Sequence, residues 1–181
     1  MRAAAVLLLA GLGAATGITA ASAQSAPVRS VTPFAGEFHP LRNVGNNKCL
    51  QPQSPNFGAP IVQMTCSGSL AQGWASLNMG SNHYRFLNNL SGLCMFVGDT
   101  PANGAPVWLD ECAVAGGTTV SNAEWNSGTP LPNVVSLRTR VHFRDNNFCL
   151  DVPGGSAAEA LPVQLWNCNS TLAQRWVVGF N

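Results

Sequence analysis

The strongest constraint on this chain is a unit written three times. Six cysteines fall into three successive pairs, Cys49 and Cys66, Cys94 and Cys112, Cys149 and Cys168, with separations of 17, 18 and 19 residues. A tryptophan follows each pair, and Trp74, Trp125 and Trp176 are each 51 residues from the next. The residues leading into them read Gln72-Gly73-Trp74, Ala123-Glu124-Trp125 and Gln174-Arg175-Trp176, so the second tail keeps the tryptophan and loses the glutamine. One order of residues at one spacing, three times over, defines a repeat of about 50 residues.

Within each repeat the apolar runs are short. Lys48-Cys49-Leu50, Ile61-Val62-Gln63-Met64 and Trp74-Ala75-Ser76-Leu77 have the length of strands, and Gly45-Asn46-Asn47, Pro52-Gln53-Ser54-Pro55-Asn56 and Ser67-Gly68-Ser69 between them have turn chemistry. Helical periodicity is missing beyond the N-terminal apolar stretch, and 18 glycines and 12 prolines demand many loops. The fold class is therefore all-β. The segments run from about Phe38 to Met79, from about His83 to Thr129, and from near Val134 onward. The second has a longer path from Cys112 to its tryptophan, which predicts a loop insertion around Ala115-Gly116-Gly117-Thr118-Thr119. In the third, Val135 to Phe143 reads as one strand with Leu137, Thr139, Val141 and Phe143 inward. Arg138, Arg140, His142 and Arg144 then form a basic outer face, either simply solvated or an anion site.

Residues 1–23 read as a secretory signal: Met1-Arg2, an alanine-rich apolar run too short to span a bilayer, then Ala21-Ser22-Ala23 as a cleavage site. Residues 24–33 form a polar lead-in expected to be disordered, and 34–181 one domain. No second apolar stretch could cross a membrane, so the expected location is extracellular. In an oxidising compartment six cysteines imply three disulfides. Fifteen pairings exist in principle, and the repeat selects Cys49–Cys66, Cys94–Cys112 and Cys149–Cys168, each worth about 3 kcal/mol in the chain-entropy model. A metal site would need C-x-x-C or clustered histidines, which are lacking, and no cofactor is expected. With 9 Lys and Arg against 8 Asp and Glu, the chain offers no basic field for nucleic acid, and a neutral ligand is expected.

Cys49-Leu50, Cys94-Met95 and Cys149-Leu150, the strand Val163-Gln164-Leu165-Trp166-Asn167-Cys168, and the Gln-x-Trp tails together resemble the ricin B-type lectins, or family 13 carbohydrate-binding modules. The resemblance spans the chain beyond the lead-in. It implies a β-trefoil, twelve strands in three four-stranded units. One unit cannot bury its apolar face alone, so three stack round an axis, with Trp74, Trp125 and Trp176 in the core. Each glutamine two residues earlier can tie neighbouring backbone, a mainly structural duty.

By the same resemblance the third segment carries a sugar site. Asp151, directly after Cys149-Leu150, would accept two sugar hydroxyls. Gln164 would add an amide contact, and Trp166, two residues on and on the same side of its strand, would stack on the apolar ring face. Val152-Pro153-Gly154-Gly155 would turn the chain near the ligand. Gln174 completes the set, although Ala173 stands where the family usually has asparagine; Asn169 is a candidate substitute. The first segment looks degraded, with Gln51 for the aspartate and Thr65 for the aromatic, although Gln63 remains. In the second, Met95 replaces the aspartate, Trp108 takes the glutamine position and is expected to be buried, and Asp110 takes the aromatic position.

The implied function is a lectin-like module for a galactose- or xylan-type glycan, with millimolar affinity at a single site, strengthened by self-association or a multivalent surface. Catalysis is not expected. Asp110 and Glu111 are adjacent and would face opposite ways on a strand, and no nucleophile motif accompanies His39, His83 or His142. This sequence also leaves no residues for an appended hydrolase. The competing expectation is a secreted trefoil acting through protein contacts, as a host-surface, toxin-delivery or inhibitor subunit. Asn89-Leu90-Ser91 and Asn169-Ser170-Thr171 match the glycosylation pattern and are read as ordinary loop residues.

Overall fold

Fifteen short strands and four single-turn 3-10 helices make up residues 37–112 and 121–179, which are the residues described by the computed structural model. The expected signal sequence, the expected lead-in with the residues that follow it through Gly36, and the expected insertion around Ala115–Thr119 lie outside the described residues. Fifteen reduces to twelve because three strands are interrupted where they pass from one sheet to the other. His39–Pro40 and Arg42–Asn43 are split at Leu41; Asn133–Val135 and Arg138–Val141 at Ser136-Leu137; Leu161–Pro162 and Gln164–Asn167 at Val163. Counted through these breaks, each repeat contributes four strands.

The repeats place equivalent apolar residues in one core. Trp74, Trp125 and Trp176 are buried, and each indole N–H donates to a carbonyl in its own repeat: Leu50 at 2.9 Å, Met95 at 3.3 Å and Leu150 at 3.0 Å. Those three carbonyls belong to the residues directly after Cys49, Cys94 and Cys149. Leu41, Phe86 and Leu137 form a second fully buried triplet, and Ile61, Val107 and Val163 a third. A buried indole that satisfies its donor contributes its apolar area without an unpaired polar group. Three disulfides close the repeats, Cys49–Cys66, Cys94–Cys112 and Cys149–Cys168, with Cα separations of 5.0, 4.9 and 5.0 Å. The architecture is an all-β trefoil.

Neighbouring repeats are joined by asparagines. Asn43 Nδ2 donates to the carbonyls of Leu172, Ala173 and Arg175 at the third tail. Asn88 Nδ2 does the same to Ala71 and Gly73 at the first. At the second tail, which lacks the glutamine, buried Glu124 instead receives Arg85 at 2.9 Å and Arg140 at 2.8 Å.

The expected strand Val135 to Phe143 is corrected. It breaks at Ser136-Leu137, where the chain changes sheet, and ends at Val141. His142 and Phe143 both have positive φ, the requirement of a tight two-residue hairpin turn, so Phe143 is 52% exposed rather than inward. Leu137, Thr139 and Val141 do face the core.

Candidate functional site

Asp151, Gln164, Trp166 and Asn169, singled out above, meet at one open pocket of about 510 Å³. Asp151, Gln164, Trp166, Asn169, Thr171 and Ala173 line it, together with Val152, Gly154 and Gly155. Strand pairing produces the juxtaposition. Asp151 lies across from Gln164 and Cys149 from Trp166, on the antiparallel strands Arg144–Asp151 and Gln164–Asn167. Side chains two residues apart on a strand share a face, so Gln164 and Trp166 point the same way. Trp166 is 40% exposed, a large apolar ring left open to solvent. Gly154 and Gly155 have φ of 60° and 62°, values that let the backbone turn close to the pocket without a Cβ.

Asp151 is only 5% exposed, and its carboxylate is held at both oxygens. Gln164 Nε2 donates to Oδ1 at 2.9 Å and Gln174 Nε2 to Oδ2 at 3.1 Å. A carboxylate has about four acceptor positions, so two remain for donors arriving from the pocket. Gln174 itself is fully buried and does not line the pocket. Its amide also donates to the Asn167 carbonyl at 3.1 Å and accepts the Asn169 N–H at 2.8 Å. It therefore fixes Asp151 and the rim together. Ala173 puts a methyl group into the wall. Asn169 stands at the rim with Oδ1 engaged by Thr171 N–H and Oγ–H, so its amide nitrogen is what it presents. Thr171 enters the sequence reading only as part of the Asn169-Ser170-Thr171 pattern, which gives no sign that it lines a pocket.

The first repeat keeps the frame and changes the contents. Gln72 Nε2 donates to Gln51 Oε1 at 3.0 Å, matching Gln174 to Asp151 with a neutral acceptor. The registers Gln51 to Val62 and Cys49 to Met64 correct two expectations. Val62, not Gln63, occupies the Gln164 position, and Met64, not Thr65, that of Trp166. Gln63 lies on the other face, fully buried where the other repeats have Leu109 and Leu165. There it donates to the carbonyls of Ser156 and Ala158, both at 2.8 Å, and accepts Asn46 Nδ2 at 2.8 Å.

Thr65 instead joins Lys48 in gripping Glu159 from the third repeat. The hydrogen bonds from Lys48, from the Thr65 hydroxyl and from the Thr65 N–H pull the Glu159 carboxyl down to about 2.

In the second repeat Phe96, not Met95, stands at the Asp151 position. Met95 is the fully buried equivalent of Leu150. Trp108 and Asp110 do fall opposite Phe96 and Cys94. They satisfy each other, the half-buried indole donating to Asp110 Oδ2 at 3.2 Å, with Phe96 5.7 Å from the Trp108 ring. Among the described residues no three His, Cys, Asp or Glu side chains are grouped to hold a metal ion, and no helix is long and apolar enough to cross a membrane.

Comparison with known proteins places the molecule in a class. The family model of the ricin-type β-trefoil lectin domain matches residues 37–136, more than half of the sequence. The chain belongs to the ricin-type β-trefoil lectin family.

Serine protease 1 of Rarobacter faecitabidus is 33% identical over 129 residues, 63% of this chain, and the match spans 23% of the protease's length. Among solved structures, the designed three-fold symmetric protein ThreeFoil superposes with a TM-score of 0.66 at 22% identity, covering 77% of this chain and 95% of its own. A ricin B-like lectin of Macrolepiota procera, solved with lactose, gives 0.61 at 22%, covering 81% and 97%. At such identities the likeness is one of fold. Membership of a lectin family supports carbohydrate binding in general.

Proposed function

We propose that this protein is a secreted lectin module with one competent sugar pocket, in the third repeat, for a galactose- or xylose-type unit of a neutral glycan. The observation that carries the reading is the pairing of a fixed, nearly buried carboxylate with an open indole. Asp151 is held at both oxygens and keeps acceptor positions free, and Trp166 offers its face beside it. A pyranose presents both vicinal hydroxyls and an apolar face of C–H groups, and this pocket answers both. Gln164 orients Asp151 and adds an amide edge; Gln174 is a positioning residue beneath it. The other two repeats serve as scaffold, because neither brings a carboxylate and an open aromatic ring to the same place.

Secretion rests on the signal-like residues 1–23 and on three disulfides, which persist in oxidising compartments. A single open pocket of this kind gives a dissociation constant of about 1 mM, roughly −4 kcal/mol. Useful strength then comes from self-association or a multivalent glycan surface.

The test is a glycan array followed by frontal chromatography with wild type, Asp151→Ala and Trp166→Ala. Retention on galactans or xylans is expected for wild type and should be abolished in both variants. Retention that survives Asp151→Ala would remove the site. No retention of wild type on any glycan would favour action through protein contacts.

A further inference from the structure

The row of basic residues near the start of the third repeat does not act as a unit. Arg140 is drawn inward to Glu124, and its guanidinium also lies 5.6 Å over the Phe143 ring. Arg144 stands beyond the turn, across from Val141. Arg138 is exposed, and its backbone is held in the sheet between Asn126 and Cys149 while its side chain has no hydrogen bond or ion pair among the described residues. It lines a pocket of about 340 Å³ together with Arg175, Ser136, Asn133, Thr129 and Asn126.

Register brings the two arginines together. Val135 with Trp176 is the last pair of its ladder, so Ser136 and Arg175 leave the ladder at the same end, two residues before Arg138. Arg175 spends one N–H on the Val134 carbonyl at 3.1 Å, a contact that steadies the side chain without neutralising it. None of the eight carboxylates of the chain lines this pocket. Asp145, the acid linked to it through Asn126, is already engaged by His83 Nε2 at 2.8 Å and Asn126 Nδ2 at 2.7 Å. Burial alone would raise the Asp145 carboxyl, but those hydrogen bonds outweigh it and hold it low. The pocket is thus walled by two guanidinium groups, hydroxyls and amides, with no counter-charge among the described residues that line it. It shares no residue with the Asp151 pocket, whose lining has one acid and no cation.

We infer that Arg138 and Arg175 form a second binding site that takes an oxyanion carried by a glycan, either the carboxylate of a uronic acid or a sulfate ester. Guanidinium groups match the planar or trigonal oxygens of such anions with paired N–H donors, and they do so with less dehydration cost than an ammonium would. Asn133 and Ser136 supply neutral donors at the edge. A polymer alternating neutral and acidic units could then engage the molecule at two separate places.

Affinity gel electrophoresis tests this with three polymers: neutral galactan, sulfated galactan and polygalacturonate. Wild type should migrate more slowly in at least one acidic gel than in the neutral one, with the difference shrinking as salt approaches a Debye length of about 3 Å near 1 M. The sulfated and uronate gels separate the two sources of the anion. Arg138→Gln/Arg175→Gln should weaken acidic-polymer binding about tenfold and leave neutral-polymer retention unchanged. Asp151→Ala should do the reverse, which keeps this site separable from the neutral-sugar pocket. Arg144→Gln, which removes one charge outside the pocket as Arg138→Gln removes one inside it, should have no effect comparable to that of Arg138→Gln. Equal retardation of wild type in all three gels would overturn the inference, and so would equal weakening by Arg144→Gln. Since both pocket arginines lie at the surface, near-UV circular dichroism of Arg138→Gln alone serves as the fold control, and that variant should already lose part of the acidic preference.

Discussion

The first and third repeats have the same skeleton and different contents. Each closes a disulfide over a Cα separation of 5.0 Å, buries a tryptophan bonded to the carbonyl after its first cysteine, and folds a buried glutamine back across the strand pair. Gln72 meets the neutral Gln51, whereas Gln174 meets the carboxylate of Asp151. Beside Asp151 lies an open indole; the matching place in the first repeat holds Met64, whose sulfur accepts the Ala160 N–H. Stability and the proposed binding are therefore written at different positions of one template. The glutamine of the tail is the point where they touch, because the same amide that fastens the loop also aims the acid.

The sharpest separation compares two tryptophans of the third repeat. Trp176→Ala removes a fully buried ring and its hydrogen bond and should cost about 3–5 kcal/mol in denaturant unfolding. Trp166→Ala should stay within about 0.5 kcal/mol of wild type while losing glycan retention. If Trp166→Ala proves as destabilising as Trp176→Ala, its ring is packing and the contrast between skeleton and contents fails.

Next come the two glutamines. Gln72→Ala and Gln174→Ala each strand buried partners and should cost about 2–3 kcal/mol, alike for both. Only Gln174→Ala should also weaken glycan binding, and isothermal titration at a temperature where both variants are folded checks it. An equal binding loss in Gln72→Ala would show that general loosening, not the aim of Asp151, is responsible.

The smallest expected effect concerns the seam between the two repeats. Glu159 has a folded value of about 2 against an ordinary 4.5, so its grip by Lys48 and Thr65 stabilises the fold fully above about pH 4.5. That contribution disappears as pH falls through about 2. The difference in melting temperature between wild type and Glu159→Gln should follow that curve, and a difference that persists unchanged at pH 2 would contradict it. Because Glu159 is solvent-exposed, the effect should be modest and reduced by salt.

Much of the architecture is legible in the sequence because covalent and apolar landmarks repeat together. The cysteine and tryptophan positions define three units, and the disulfides and buried indoles of the structure fall at those positions. Finer placement fails where residue type is matched in place of spacing. Gln63 looks like Gln164, but Gln164 lies four residues before its cysteine and Gln63 three, and one residue on a strand turns the side chain to the opposite face. Met95 likewise stands one residue early, since the position two past the cysteine is Phe96. The hairpin at His142-Phe143 hides inside an alternating run with no glycine or proline to mark it. Contacts between distant residues leave no local trace: Gln174 to Asp151 spans 23 residues and Lys48 to Glu159 spans 111.

Strand Arg42–Asn43 pairs with Trp176–Val178, and Asn43 caps the third tail as Asn88 caps the first. The joint between the beginning and the end of the trefoil is thus made with the same chemistry as a joint that the chain itself crosses. Opening the chain near Ser81-Asn82 and joining it between Phe38 and Val178 would move the break to an equivalent seam, at the expense of the Asn82 contacts to Ser127 and Gly128. In this molecule the order in which the three lobes are translated is a convention of the gene rather than a requirement of the ring.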